Sequence, residues 1–143
     1  MACGTPSPSL IVIDADDAMR ALVHEWFAGA GYRVAARAAP GLQGDADVRL
    51  VVVDLRDLAT RGAATVSRVK KLFPAAAVLG LSTQVSRPSS AALREALAPG
   101  LAALYPKPCT RGELLAAAGA ALRGPGPQAD EAAIPAHRAR RPA

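Results

Sequence analysis

The sequence alternates short runs of apolar residues with longer stretches in which apolar residues recur every three or four positions. The runs are rich in Val, Ile and Leu and stop at polar or turn-forming residues, which is typical of strands buried on both faces of a sheet. We predict five strands, at residues 10–13, 32–36, 50–53, 77–81 and 101–105.

The stretch after the first strand has the spacing of an amphipathic helix over residues 18–30. Asp17 is predicted to cap this helix at its start, and Gly31 to end it. The connection between the second and third strands is different. It passes through Leu42 and Gln43, is broken by glycines, and has room for only a stub of helix.

Three further helices are predicted. The first covers residues 62–73, and Ser89 and Ser90 can cap the next. The last opens with a capping box, in which Thr110 stands at the N-cap and Glu113 three residues later. Strands and helices therefore alternate as (βα)₅, a pattern that favours an α/β fold with a parallel sheet and helices on both of its faces.

Length and composition bound the function. A length of 143 residues suits one domain. The chain carries 17 Lys and Arg against 12 Asp and Glu, and the resulting net charge of +5 does not demand a nucleic-acid partner. We predict a domain over 9–123, a disordered start over 1–8 and a disordered tail rich in Pro, Ala and Arg over 124–143. With no signal peptide or membrane-length apolar run, we expect a cytoplasmic protein that does not enter membranes.

Four polar residues end strands of this apolar pattern. Asp14, Asp54, Ser82 and Lys107 each lie at, or within two residues of, the carboxyl end of a different predicted strand. Ligands of open α/β sheets bind at that edge. Two carboxylates close together either raise a pKa or recruit a cation, and oxygen ligands suit Mg²⁺. A nearby lysine and hydroxyl would favour an arriving phosphoryl group. This combination suggests an aspartyl-phosphate site.

With these strand-end residues and the segments around them, in this order along the chain, residues 9–123 resemble the receiver domain of two-component response regulators. The matching segments are Leu10–Asp14 with Met19-Arg20 after it, Gly31–Val34, Val51–Arg56, Val78–Ser82 and Lys107–Pro108. The resemblance implies a flavodoxin-like, doubly wound sheet with strand order 2-1-3-4-5.

The resemblance also implies roles for single residues. Asp54 would be the phospho-acceptor, and Ser82 and Lys107 would bind the phosphoryl group. Mg²⁺ would be held by Asp14, Asp54 and the backbone carbonyl of Arg56. Pro108 resembles the proline that follows a cis peptide bond in the family.

The chain departs from the family pattern at several positions. Ala15 replaces one carboxylate of the acidic pair, which weakens the expected Mg²⁺ site unless Asp16 reaches it, although Asp16 also suits the helix start. Leu104 stands where an aromatic residue is expected, and Tyr105 is displaced by one position, onto the other face of its strand. The connection between the second and third strands is short, and Asp57-Leu58 stands where Met-Pro is common.

Two functional hypotheses remain open. In the first, the chain is a single-domain response regulator: a histidine kinase or phosphotransfer protein phosphorylates Asp54, and output runs through a downstream protein partner. Such a protein is a phospho-acceptor that catalyses its own phosphoryl transfer and hydrolysis, not an enzyme acting on a separate substrate. In the second, it is a pseudo-receiver, a protein-interaction module that phosphorylation does not regulate. A nucleic-acid contact through the arginines of the tail is a weaker third hypothesis.

Overall fold

A computed structural model describes residues 8–38 and 44–124. Five strands are present: β1 (Ser9–Ile13), β2 (Arg33–Arg37), β3 (Leu50–Asp54), β4 (Ala77–Ser82) and β5 (Ala103–Pro106). The described residues form four helices: α1 (Asp17–Gly29), α2 (Leu58–Leu72), α3 (Ala91–Leu97) and α4 (Arg111–Arg123). The predicted helix stub, the start of the chain before residue 8 and the tail beyond Gly124 lie outside the described residues.

All strand pairs are parallel, and the sheet has the order β2-β1-β3-β4-β5. The predicted α/β, flavodoxin-like architecture and its strand order are therefore confirmed. The register sets Asp54 at the end of β3 beside Leu81 of β4, and Ser82 next to Pro106 of β5. The carboxyl ends of the central strands consequently meet at one edge of the sheet.

The core is split into two apolar clusters, one on each face of the sheet. Side chains alternate along each strand, so Val51 and Val53 of β3 join the cluster under α2, while Leu50 and Val52 join the cluster under α1 and α4. The strands are apolar on both faces because helices cover both faces. This packing holds the polar strand ends in place.

The helix starts show where local sequence was sufficient. Ser90 caps α3 through a hydrogen bond from the Leu93 N–H, and Thr110 and Glu113 form the predicted capping box of α4. For α1 the prediction of Asp17 as the cap was wrong by one residue. Asp16 is the cap, because its extended backbone lets its Oδ1 accept from the N–H of the third helical residue.

Helix α2 begins at Leu58, four residues before the predicted start at Gly62. Its N-cap, Asp57, has a left-handed backbone (φ 48°, ψ 50°) and makes no capping hydrogen bond with its side chain. The Leu58 N–H instead donates to Oε1 of Gln84, 2.5 Å away and 26 residues along the chain. No local pattern signals this start, because the partner comes from another loop.

The connection before β3 is described from residue 44 onward, and residues 44–49 contain no helix. Asp45 organises a turn there, in which its Oδ1 accepts from the Asp47 N–H and its own N–H donates to the Leu72 carbonyl. Within the described residues, no helix has both the length and the apolar character that a membrane crossing needs.

Candidate functional site

Three of the four predicted strand-end residues meet at the carboxyl edge of the sheet. The Lys107 Nζ lies 2.9 Å from Oδ2 of Asp14 and 3.0 Å from Oδ1 of Asp54, so one ammonium group bridges two carboxylates from β1 and β3. These groups are 93 and 53 residues apart along the chain. The sheet topology, which sets β1 beside β3, is what brings the carboxylates together.

The bridge is largely shielded from solvent. The side chains of Asp14, Asp54 and Lys107 are 3%, 9% and 13% exposed. Burial lowers the pKa of Lys107, but the hydrogen bonds and charges of Asp14 and Asp54 raise it by more, and the net pKa lies above the ordinary value. Lys107 therefore carries its charge throughout the neutral range.

Asp14 is also held from other directions. Its Oδ1 accepts from the Asp16 N–H at 2.9 Å, and its backbone N–H donates to the Arg37 carbonyl. Nη1 of Arg20 donates to the Asp14 carbonyl at 2.7 Å, while Nη2 pairs with Asp17. The sequence analysis gave Arg20 no role at this edge. Its position one helical turn after the acidic cluster was the available signal.

Arg56 contributes its side chain as well as its backbone to this edge. Its Nε donates to Oδ2 of Asp54 over 3.2 Å, and the arginine side chain is 65% exposed. The sequence analysis assigned a role only to the Arg56 carbonyl, so this ion pair is an addition. Asp54 thus faces a buried lysine through one oxygen and an exposed arginine through the other.

Ser82 lies next to the bridge, and its hydroxyl is hydrogen-bonded to Gln84. The residue is fully buried, and its hydroxyl oxygen accepts from the Gln84 N–H at 3.0 Å. Its carbonyl accepts from the Lys107 N–H, which ties the ends of β4 and β5 together. Gln84 is therefore the link between the Ser82 hydroxyl and the first turn of α2.

The Asp16 carboxylate belongs to the start of α1. The hydrogen bond from the Met19 N–H lowers the pKa of Asp16, and the charges of Lys107 and Arg56 act in the same direction. The structure thus places this side chain at the start of α1 as its helix cap, which is the helix-start role that the sequence allowed it.

An open groove of about 740 Å³ begins at this site and runs along α2. Its floor is formed by the ends of β1, β2 and β3, and one wall by the exposed side of α2. The lining residues are Ile13, Asp14, Ala15, Ala38, Val53, Asp54, Arg56, Asp57, Thr60, Arg61, Ala64, Thr65 and Arg68. Asp14, Asp54, Lys107 and Arg56 together form the ionic cluster of this edge. Of these residues, Asp14, Asp54 and Arg56 line the groove.

Comparison with known structures identifies the fold. A CheY-like receiver domain protein from Methanospirillum hungatei matches with a TM-score of 0.66 at 19% identity, over 82% of this chain and 94% of that chain. The non-phosphorylated HemR receiver domain from Leptospira biflexa matches with a TM-score of 0.62 at 23% identity, over 81% and 94%. This chain has the receiver-domain fold.

The same fold also occurs under a different description. A pilus assembly-related protein from Burkholderia pseudomallei matches with a TM-score of 0.60 at 20% identity, over 81% of this chain and 90% of that chain. At the level of sequence, no protein-family model and no curated protein matches this chain. The likeness is therefore one of structure.

Position 104 on β5, where the resemblance predicts an aromatic residue, carries an aliphatic side chain. Leu104 is 1% exposed and packs in the cluster under α2, while Tyr105 belongs to the cluster on the opposite face. Tyr105 thus lies on the other face of β5 from Leu104, as the alternation of strand side chains predicts. Gly80 makes room for Leu104, because a Cβ at position 80 would lie 3.1 Å from Cδ1 of Leu104 and 2.7 Å from Cδ1 of Leu55.

The acidic edge of this receiver-domain fold does not fit a resident Mg²⁺ ion. All four carboxylate oxygens of Asp14 and Asp54 already accept hydrogen bonds from protein donors. Position 15 offers only a methyl group, and the described residues contain no group of three or more potential ligands among His, Cys, Asp and Glu. The Lys107–Pro108 bond is cis, as the resemblance implies.

Proposed function

We propose that this chain is a receiver module of two-component signalling that accepts a phosphoryl group on Asp54. One observation carries the proposal: Lys107 bridges Asp14 and Asp54 at the carboxyl edge of the sheet, in a shielded site. The solved structures with the same fold include response-regulator receivers, which supports the assignment to signalling. The donor would be a histidine kinase or a phosphotransfer protein.

The geometry favours Oδ2 of Asp54 as the attacking oxygen. Oδ1 pairs with the shielded Lys107, whereas Oδ2 pairs with the exposed Arg56, and both Asp54 and Arg56 line the groove. In the transfer, a bond forms between Oδ2 and phosphorus, the bond from phosphorus to the donor nitrogen breaks, and its electron pair leaves with the imidazole. Positioning and charge neutralisation are what such a transfer needs most.

Lys107 would neutralise the arriving charge, and the Ser82 hydroxyl would donate to a phosphoryl oxygen. Because Ser82, Gln84 and Leu58 form one hydrogen-bonded chain, a shift of Ser82 toward the phosphoryl group would reach the first turn of α2. Phosphorylation would then shift the population of conformations around α3, β5 and α4 toward the form that a downstream protein partner binds.

The test is phosphorylation with acetyl phosphate followed by intact-protein mass spectrometry. We expect the mass of one phosphoryl group to be added to the native chain and not to Asp54→Ala. Glu25→Ala, which removes an exposed carboxylate of α1 away from the edge, is the matched control and should be modified like the native chain. No mass gain in a folded native protein would refute the proposal.

The second candidate is a protein-interaction module that phosphorylation does not regulate. It is favoured by Ala15, which removes a carboxylate from the acidic pair, and by Leu104, which replaces the aromatic switch residue. If native protein fails to gain mass while Ala15→Asp gains it, the missing carboxylate is the defect and this second function is supported. If neither protein gains mass, the loss of phosphorylation lies elsewhere in the site.

A further inference from the structure

Each carboxylate oxygen of Asp14 and Asp54 accepts a hydrogen bond from a protein group. Asp14 receives the Asp16 N–H on Oδ1 and Lys107 on Oδ2. Asp54 receives Lys107 on Oδ1 and Arg56 on Oδ2. Two carboxylates are thus in direct contact with two cationic side chains, so their charges balance without an added ion.

The Arg56 side chain already pairs with one of the two carboxylate oxygens of Asp54. Its guanidinium donates to Oδ2 of Asp54, both residues line the groove, and the resemblance assigned the Arg56 carbonyl to a metal contact. An arginine keeps its charge at every accessible pH and presents a planar set of donors that suits phosphoryl oxygens. A divalent ion at Oδ2 would have to displace this cation or share a site with it, at an electrostatic cost.

We propose that the Arg56 guanidinium takes the place of a divalent metal ion at Asp54. At rest it neutralises Oδ2. During phosphoryl transfer it moves from Oδ2 to the phosphoryl oxygens, which frees Oδ2 to attack and stabilises the charge that accumulates on the transferred group. The high exposure of the side chain allows this movement, whereas the shielded Lys107 stays in place. The inference rests on the proposed function of Asp54.

The first test measures metal binding directly, by following free Mn²⁺ with electron paramagnetic resonance as protein is added. The native chain should leave millimolar Mn²⁺ free, Arg56→Ala should bind it more tightly, and Ala15→Asp combined with Arg56→Ala should bind about tenfold more tightly again. Arg61→Ala is the matched control, because Arg61 is an exposed arginine of α2 that lines the same groove, whereas the ion pair to Asp54 Oδ2 comes from Arg56. It should behave like the native chain.

Native protein that binds Mn²⁺ as tightly as Arg56→Ala would overturn the inference. The expected result is an order of affinity that follows charge: native chain and Arg61→Ala weakest, then Arg56→Ala, then the double variant. Because the readout is free Mn²⁺, this test decides on metal exclusion whether or not Asp54 is phosphorylated.

The second test compares phosphorylation by acetyl phosphate in EDTA and in Mg²⁺. The attack forms the bond from Oδ2 to phosphorus, breaks the bond from phosphorus to the acetyl oxygen and releases acetate. The native chain should react at similar rates in both buffers, and Arg56→Ala should slow by at least about tenfold in EDTA. Arg61→Ala should react like the native chain.

The two proposals fail in different ways. Native protein that gains mass only with Mg²⁺ keeps the proposed function and overturns the role of Arg56. Native protein that gains no mass in either buffer overturns the proposed function, and the Mn²⁺ titration still decides whether Arg56 excludes metal. Circular dichroism of each variant confirms that the compared proteins are folded.

Discussion

The ionic cluster has an inner and an outer half, and the two differ in environment more than in chemistry. The inner half is the bridge from Asp14 through Lys107 to Oδ1 of Asp54, with side chains at most 13% exposed. The outer half is the ion pair between the exposed Arg56 side chain and Oδ2 of Asp54. Both halves pair a carboxylate with a cation.

The environment decides what each pair can do. A shielded ion pair whose partners are all hydrogen-bonded is costly to break, because the remaining charge is left without water. An exposed pair is screened by solvent and can open at little cost. The inner half is therefore a structural support for the site, and the outer half is the side that can open to a reactant.

Removing Lys107 from the inner half should cause the largest loss of stability. Lys107→Met leaves two shielded carboxylates facing each other, and we expect a loss of about 3–5 kcal/mol in the free energy of unfolding near neutral pH. Urea unfolding followed by the fluorescence of the single tryptophan, Trp26, measures it. Lys71→Met, which removes an exposed lysine at the end of α2, should change stability by less than about 0.5 kcal/mol. Equal losses in the two variants would contradict a structural role for the bridge.

The loss of stability in Lys107→Met should also depend on pH, because it requires a charged Lys107. The pKa of Lys107 is raised in the folded protein, so its contribution is fully present below the unfolded pKa of about 10.4 and disappears as the pH rises through the folded value. The difference in stability between the native chain and Lys107→Met should stay level through neutral pH and narrow in strong alkali. If the difference in the free energy of unfolding between the two proteins widened in alkali, the charge of Lys107 would not be what stabilises the bridge.

Removing the outer cation should cost far less. Arg56→Ala loses one solvent-screened ion pair, and we expect a change below about 1 kcal/mol in the free energy of unfolding. The same urea titration measures it, with Arg61→Ala as the matched arginine control. A loss as large as that of Lys107→Met would mean that the two halves of the cluster are not energetically distinct.

The smallest effect is expected at Asp57, and it should be a gain. The left-handed backbone of Asp57 (φ 48°) is strained for a residue with a Cβ atom, and Gly removes that strain. Gly also loses more conformational freedom on folding, which offsets part of the gain. We therefore expect Asp57→Gly to stabilise the fold by a net amount of about 0.5 kcal/mol. Ala59→Gly, on the exposed side of the same helical turn, should instead destabilise it. Thermal unfolding of both variants compares the signs, and a loss in Asp57→Gly would show that its side chain stabilises the loop.

Much of the fold was predictable, because its signals are local. The apolar runs of β1, β3 and β4 identify buried strands, and Thr110 with Glu113 marks the start of α4 within four residues. The start of α2 was not predictable in the same way, since the Leu58 N–H is satisfied by Gln84 from another loop. The cap of α1 was misplaced by one residue because neighbouring aspartates offer equivalent local signals.

For the site, the sequence alone placed Asp14, Asp54, Ser82 and Lys107 at strand ends and showed that position 15 lacks a carboxylate. The tertiary structure decided which of these groups touch: Lys107 joins both aspartates, Ser82 turns to Gln84, and the Arg56 side chain pairs with Asp54. Strand ends are set by local hydrophobic patterns, which the sequence carries residue by residue. Ion pairs between strands depend on sheet order and side-chain direction, which exist only once the chain has packed.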